Sequence, residues 1–95
     1  MAMIVQAIET RYFGPTNARG ARVKATAGAG SVTVTWDHAK KFEENHIAAA
    51  KALAEKFGWA GTWYGGGLPK RGFAFVLGAL DPDNTAAAFV TKVMA

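Results

Sequence analysis

The chain has 95 residues, room for one compact domain and not two. Hydrophobic residues make up 51% and aromatics 12%, which favours a packed core over disorder; cysteine is absent, which excludes disulfide staples, Cys-ligated zinc and thiol catalysis. Lys and Arg outnumber Asp and Glu by 11 to 7, no apolar run nears the ~20 residues of a membrane span, and Met1–Gln6 lacks the charged n-region of a signal peptide, so a cytoplasmic protein without a membrane partner is expected.

Residues 3–12 read as a strand. Ile4, Ile8 and Tyr12 share one parity, while Met3, Val5, Ala7, Glu9 and Arg11 hold the other and turn from apolar to charged. Gly14–Gly20 is dense in turn residues. Over 21–27, Val23 and Ala25 alternate with Arg22, Lys24 and Thr26; Gly28-Ala29-Gly30 makes a hairpin connection; and over 31–36, Val32, Val34 and Trp36 alternate with Ser31, Thr33 and Thr35. Three such segments predict an antiparallel meander with one apolar face and one polar, basic face.

A helix is predicted over 42–57, with Glu43 and Glu44 at its positive end, Lys56 at its negative end and Gly58 just past its close. Asp37 is an alternative start. Ile47, Ala50, Leu53, Ala54 and Phe57 fall on one stripe, and His46 lies beside it as a boundary residue. Thr62-Trp63-Tyr64 reads as a short strand, Gly65–Lys70 as a flexible loop, and Phe73–Leu77 as the strongest strand of the second half. Asp81 and Pro82 then signal a short C-terminal helix carrying Ala86, Phe89, Val90 and Val93. The order is β-β-β-α-β-β-α: a single α+β domain over 1–95, with a mainly antiparallel sheet and one main helix packed across one face.

The positive charge is localised. Residues 1–35 carry Arg11, Arg19, Arg22 and Lys24 against Glu9 alone; residues 36–58 balance; the remaining third carries Lys70, Arg71 and Lys92 against Asp81 and Asp83. Arg22 and Lys24 share a strand face, Arg19 sits in the preceding turn, and Arg11 joins them if the first two strands pair across Gly14–Gly20. Four cations at one end of one face can follow a phosphate backbone. The competing explanation is a solvated face that discourages edge pairing. The Gly14–Gly20 turn could also hold an anion on consecutive backbone N–H groups with Arg19 as the charged arm. It lacks the GxxxxGK[ST] spacing of a P-loop, and a long hairpin turn accounts for its glycines equally well.

Arg71-Gly72-Phe73-Ala74-Phe75-Val76 matches six positions of the RNA-recognition-motif octamer, but Gly78 occupies its last aromatic position and the element order differs. Packing of Phe73 and Phe75 under the main helix is the favoured role. Trp59, Trp63 and Tyr64 cluster before a glycine run that Lys70 and Arg71 close; aromatics beside cations suit base stacking or a partner hot spot. Catalytic signals are weak. His38 and His46 show no metal-ligand spacing, Ser31 has no nucleophile context, and no catalytic residue, metal ligand or cofactor is expected.

The run Glu9-Thr10-Arg11-Tyr12-Phe13-Gly14-Pro15-Thr16-Asn17-Ala18-Arg19-Gly20-Ala21-Arg22-Val23-Lys24-Ala25 resembles a recurring signature, ETRYxGPTNxRGxRxKA, of short uncharacterised proteins from proteobacterial phages, plasmids and other mobile elements. The resemblance continues through Ser31–Thr35, the Ala-rich helix ending Phe57-Gly58-Trp59, and residues 67–76; the stretch from Asp81 to Ala95 lies outside it. It implies a context and brings no activity with it. Small proteins in that setting bind DNA or RNA, or contact a host-defence complex. The first expectation is therefore a non-catalytic nucleic-acid-binding accessory protein, with Arg11, Arg19, Arg22, Lys24, Lys70 and Arg71 on phosphates and Tyr12 and Tyr64 as stacking groups. The alternative is a protein-interaction module, a host-defence inhibitor or homodimer, with an exposed patch centred on Trp63, Tyr64 and Leu68.

Overall fold

The computed structural model describes residues 7–69, 72–78 and 87–91. Six strands and one helix follow one another as β1 (Ala7–Phe13), β2 (Arg22–Ala27), β3 (Gly30–Thr35), α1 (Phe42–Lys56), β4 (Gly61–Gly67), β5 (Phe73–Leu77) and β6 (Phe89–Thr91). The strands form one sheet in the order β3-β2-β1-β5-β4-β6, and every ladder in it is antiparallel. The expected α+β architecture, an antiparallel sheet with one main helix, is observed.

Period-two patterning decides which face the helix covers. Ile8 and Thr10 of β1 and Val23 and Ala25 of β2 are buried, and the register pairs Thr10 with Ala25 and Ile8 with Phe75, so all of them look the same way. Against them α1 lays His46, Ala49, Ala50, Leu53 and Ala54. The alanines let the helix approach closely, and Leu53 fills the centre of the interface.

The helix ends are secured locally. Lys41 precedes the first turn with extended backbone and makes no side-chain cap. Asn45 does that work instead: its Oδ1 accepts from the Asp37 N–H at 2.8 Å, and its Nδ2 donates to the carbonyls of Asp37 and Lys41 at 3.0 and 3.1 Å. These bonds fasten the 37–41 segment onto α1, which starts at Phe42 and not at Asp37. At the other end Gly58 takes φ +69°, a conformation glycine adopts without strain, and the Trp59 N–H reaches the Ala54 carbonyl at 2.8 Å.

Three expectations need correction. First, the short C-terminal helix is not found among the described residues. Its residues Asp81, Pro82, Ala86 and Val93 lie outside the described residues, while Phe89 and Val90 belong to strand β6. The reason is Trp63, which is buried and needs an acceptor for its indole N–H. Thr91 supplies it, accepting from Trp63 Nε1 at 3.0 Å and donating to the Trp59 carbonyl. Phe89 stacks on the Trp63 ring at 5.6 Å and 13°. Residues two apart share a face on a strand and diverge by about 200° on a helix, so only a strand lets Phe89 and Thr91 serve the same tryptophan. Second, Gly65–Gly67 is the second half of β4 and not loop, pairing with Phe75, Ala74 and Phe73. A Cβ on Gly65 would sit 2.9 Å from the Phe75 ring, so glycine makes room for that side chain. Third, His46 is no boundary residue; its exposure is 0%.

Candidate nucleic-acid interface

Pairing between β1 and β2 opposes Phe13 to Arg22, Arg11 to Lys24 and Glu9 to Thr26. All six side chains leave the sheet on the side away from α1. On the neighbouring strand β3, Thr35, Thr33 and Ser31 stand beside Arg22, Lys24 and Thr26 in the same row. The sheet thus offers a ribbon of two cation-bearing strands bordered by hydroxyls, with no described element over it.

Arg19 completes this ribbon from the turn. The turn is closed on itself: Thr16 N–H donates to the Arg19 carbonyl at 2.7 Å, and Arg19 N–H donates to Thr16 Oγ1 at 3.1 Å. Two N–H groups that a backbone anion nest would use are therefore spent inside the turn. The Arg19 side chain still lines two concavities. One, of about 210 Å³, is shared with Phe13, Arg22, Lys24 and Thr33. The other, of about 240 Å³, is shared with Arg22, Thr33 and Thr35. A third, of about 260 Å³, lies on the far side of Phe13 and is lined by Glu9, Arg11, Lys24, Thr26 and Leu68. Phe13 is the partition common to the first and third.

Electrostatically the two sides of the sheet differ. Glu9 is the only described carboxylate on the ribbon, and its cross-strand partner is Thr26. The other described acids, Asp37, Glu43, Glu44 and Glu55, lie in α1 or just before it, where Lys40, Lys41, Lys51 and Lys56 balance them. Among the described residues no ion pair engages Arg11, Arg19, Arg22 or Lys24. Arg22 donates to the Gly20 carbonyl at 3.3 Å and holds its guanidinium 5.4 Å from the centre of the Phe13 ring.

The structure thus brings Arg11, Arg19, Arg22 and Lys24 together. Tyr12 stands apart from them on the helix side of β1, edge-on to Trp36 at 4.8 Å. Tyr64 is on the cation-bearing face, but in line with Val76 and Ala7, two strands across and four positions along from Arg11, and so roughly 16 Å away. Lys70 and Arg71 lie outside the described residues. The residues of the alternative patch diverge: Trp63 is buried toward the helix, Tyr64 points to the opposite face, and Leu68 borders the Arg11 concavity. Phe73 and Phe75, the aromatics of the octamer match, also face α1, where Phe73 meets the His46 ring at 4.9 Å.

Sequence reasoning missed Phe13 as a ribbon residue. The signal was present, since Phe13 has the parity of Glu9 and Arg11, but a phenylalanine at a strand end reads as core. His46 was missed as a core residue. Its Nδ1 is 2.8 Å from Thr10 Oγ1, its Nε2 is buried without a partner, and Trp36, Phe42 and Phe73 surround it. Burial lowers its pKa from the ordinary 6.5.

Among the described residues no group of three His, Asp or Glu side chains is placed to hold a metal ion, and no helix is long and apolar enough to cross a membrane. No protein-family model, no curated protein and no solved structure matches the chain significantly.

Proposed function

We propose that the protein is a non-catalytic nucleic-acid-binding module whose β1–β2 ribbon lies along a phosphate backbone. The observation that carries this reading is the Arg11–Lys24 cross-strand pair. Like charges directly opposite each other destabilise a sheet by a few tenths to about 1 kcal/mol. The protein tolerates that cost with Arg22 and Arg19 close by and a single acid on the ribbon. The alternative explanation, protection of a sheet edge, does not fit the strand order. The edge on this side is β3, whose outward residues are Ser31, Thr33 and Thr35, while the cations stand on β1 and β2 inside the sheet. Local stability given up at interior positions is a mark of a binding surface. A mobile-element accessory role, to which the signature over Glu9–Ala25 points, is compatible with such a module.

The test is a salt titration. Fluorescence anisotropy with a labelled oligonucleotide should show log K falling linearly with log salt. Each of Arg11→Gln, Arg22→Gln and Lys24→Gln should flatten the slope by about 0.7 for a single strand or 0.9 for duplex DNA. Retention that ignores salt, or no binding at low salt, refutes the proposal.

A further inference from the structure

We infer that the ribbon takes single-stranded nucleic acid in preference to duplex, with Phe13 as the stacking platform that separates two neighbouring base sites; the inference rests on the phosphate-binding reading above. Phe13 is an aromatic side chain on a polar sheet face, 36% exposed, with cations on both sides of it. It forms a wall of two concavities at once. Arg11 and Lys24 line the one of about 260 Å³, and Arg19, Arg22 and Lys24 line the one of about 210 Å³. Lys24 belongs to both. Each hollow therefore joins the face of an aromatic ring to at least two cations, which is the pairing of contacts a nucleotide needs: a surface for its base and a charge for its phosphate.

Duplex nucleic acid cannot use this arrangement. Its bases are already stacked on one another and show only their edges in the grooves, so no base face is free to lie on Phe13 and the hollows take at most phosphate and sugar. An unpaired strand turns its bases toward the sheet and lays successive ones on either side of Phe13, with the backbone following the cations. The guanidinium of Arg22 covers one face of the ring, 5.4 Å from its centre, so a base entering on that side displaces it onto the neighbouring phosphate.

The experiment compares three 12-nucleotide probes of one sequence, single-stranded DNA, single-stranded RNA and blunt duplex DNA, each over the same series of salt concentrations, using the wild type, Phe13→Ala, Phe13→Leu and Phe13→Trp. Circular dichroism and a thermal melt confirm that each variant is folded. The wild type should bind at least one single strand more tightly than the duplex. Phe13→Ala and Phe13→Leu should weaken single-strand binding about 5- to 150-fold, the loss expected for one stacked base, with an unchanged salt slope. Phe13→Trp should retain binding, and the duplex affinity should not respond to any of the three. Equal binding of duplex and single strands, or a Phe13→Leu variant that matches the wild type, overturns this inference and leaves the phosphate ribbon standing. No binding of any probe overturns both.

Discussion

His46 gives the chain a built-in acid sensitivity whose size and direction follow from its surroundings. Its ring is closed off by Trp36, Phe42 and Phe73, none of which titrates, and its exposure is 0%. Thr10 Oγ1 has the Phe73 carbonyl within 3.4 Å to receive its proton, and it sits 2.8 Å from His46 Nδ1. A continuous relay requires Nδ1–H to donate to Thr10 while Thr10 donates to Phe73, which leaves Nε2 as a bare lone pair among aromatic rings. Protonation would put a second N–H there with no acceptor, and burial accordingly holds the His46 pKa below the ordinary 6.5. The unfolded chain then takes up a proton near 6.5 that the folded chain refuses until lower pH. Between those two pH values the unfolded state binds more protons, so stability falls as pH falls, by up to about 1.4 kcal/mol per pH unit. Above 6.5 this residue adds no pH dependence. Urea unfolding at half-unit steps from pH 8 to 4.5 measures it, and the difference from His46→Leu and His46→Gln removes the background from carboxylates. Either variant should lose the part of the slope that sets in within the window just below pH 6.5. Wild-type and His46→Leu curves that run parallel through that window would refute the argument.

Other expectations follow from single contacts. Thr91→Val removes the acceptor of the buried Trp63 indole and the donor to Trp59, and should cost about 1–3 kcal/mol in urea unfolding with little change in slope m. Gly72→Ala would place its Cβ 2.5 Å from the Thr10 carbonyl oxygen, so it should lower the thermal midpoint by several degrees, and more than Gly66→Ala, where nothing lies within 4 Å. Glu9→Gln removes the one described acid from the ribbon and should tighten oligonucleotide binding at low salt, with the gain shrinking as salt rises; anisotropy titrations at two salt concentrations would show it. Trp63→Ala deletes a core side chain that is 1% exposed and should cost about 3–5 kcal/mol by urea denaturation.

The first half of the fold was legible because its information is local. Alternation over β1, β2 and β3 fixes which residues share a face, and the turn residues between them fix who pairs with whom, so the grouping of Arg11, Arg22 and Lys24 followed from counting parity. The helix was equally readable from its alanine-rich stripe, although the buried edge runs through Asn45 and His46 and not through half-buried Ile47. Asn45 is core through the segment just before the helix, eight positions back at Asp37, whereas His46 is core through Thr10, a partner 36 positions away that no local pattern reveals. The same limit explains the C-terminal segment. Asp-Pro followed by alanines carries helix signals, whereas the strand over Phe89–Thr91 is held by its ladder to β4 and by the ring and N–H of Trp63, 28 positions from Thr91. The glycine run reads as a loop because glycine weakens strands in isolation; the clearance that its first member, Gly65, gives Phe75 is visible only across the ladder. Nearness in sequence groups Tyr12 with the cations, but adjacent strand residues point to opposite sides.

Strand β1 is where the sheet is sewn together. To one side, β1, β2 and β3 are joined by hairpin connections; to the other, β5, β4 and β6 make their own local ladders; and among the described residues only the β1–β5 ladder and the helix connect the two halves. That ladder links residues such as Thr10 and Phe73, 63 positions apart. Loop-closure entropy must be met before such a pairing gives anything back, so this one closure sets the pace at which the chain reaches its native state. Opening it leaves the cationic strands β1 and β2 still paired with each other.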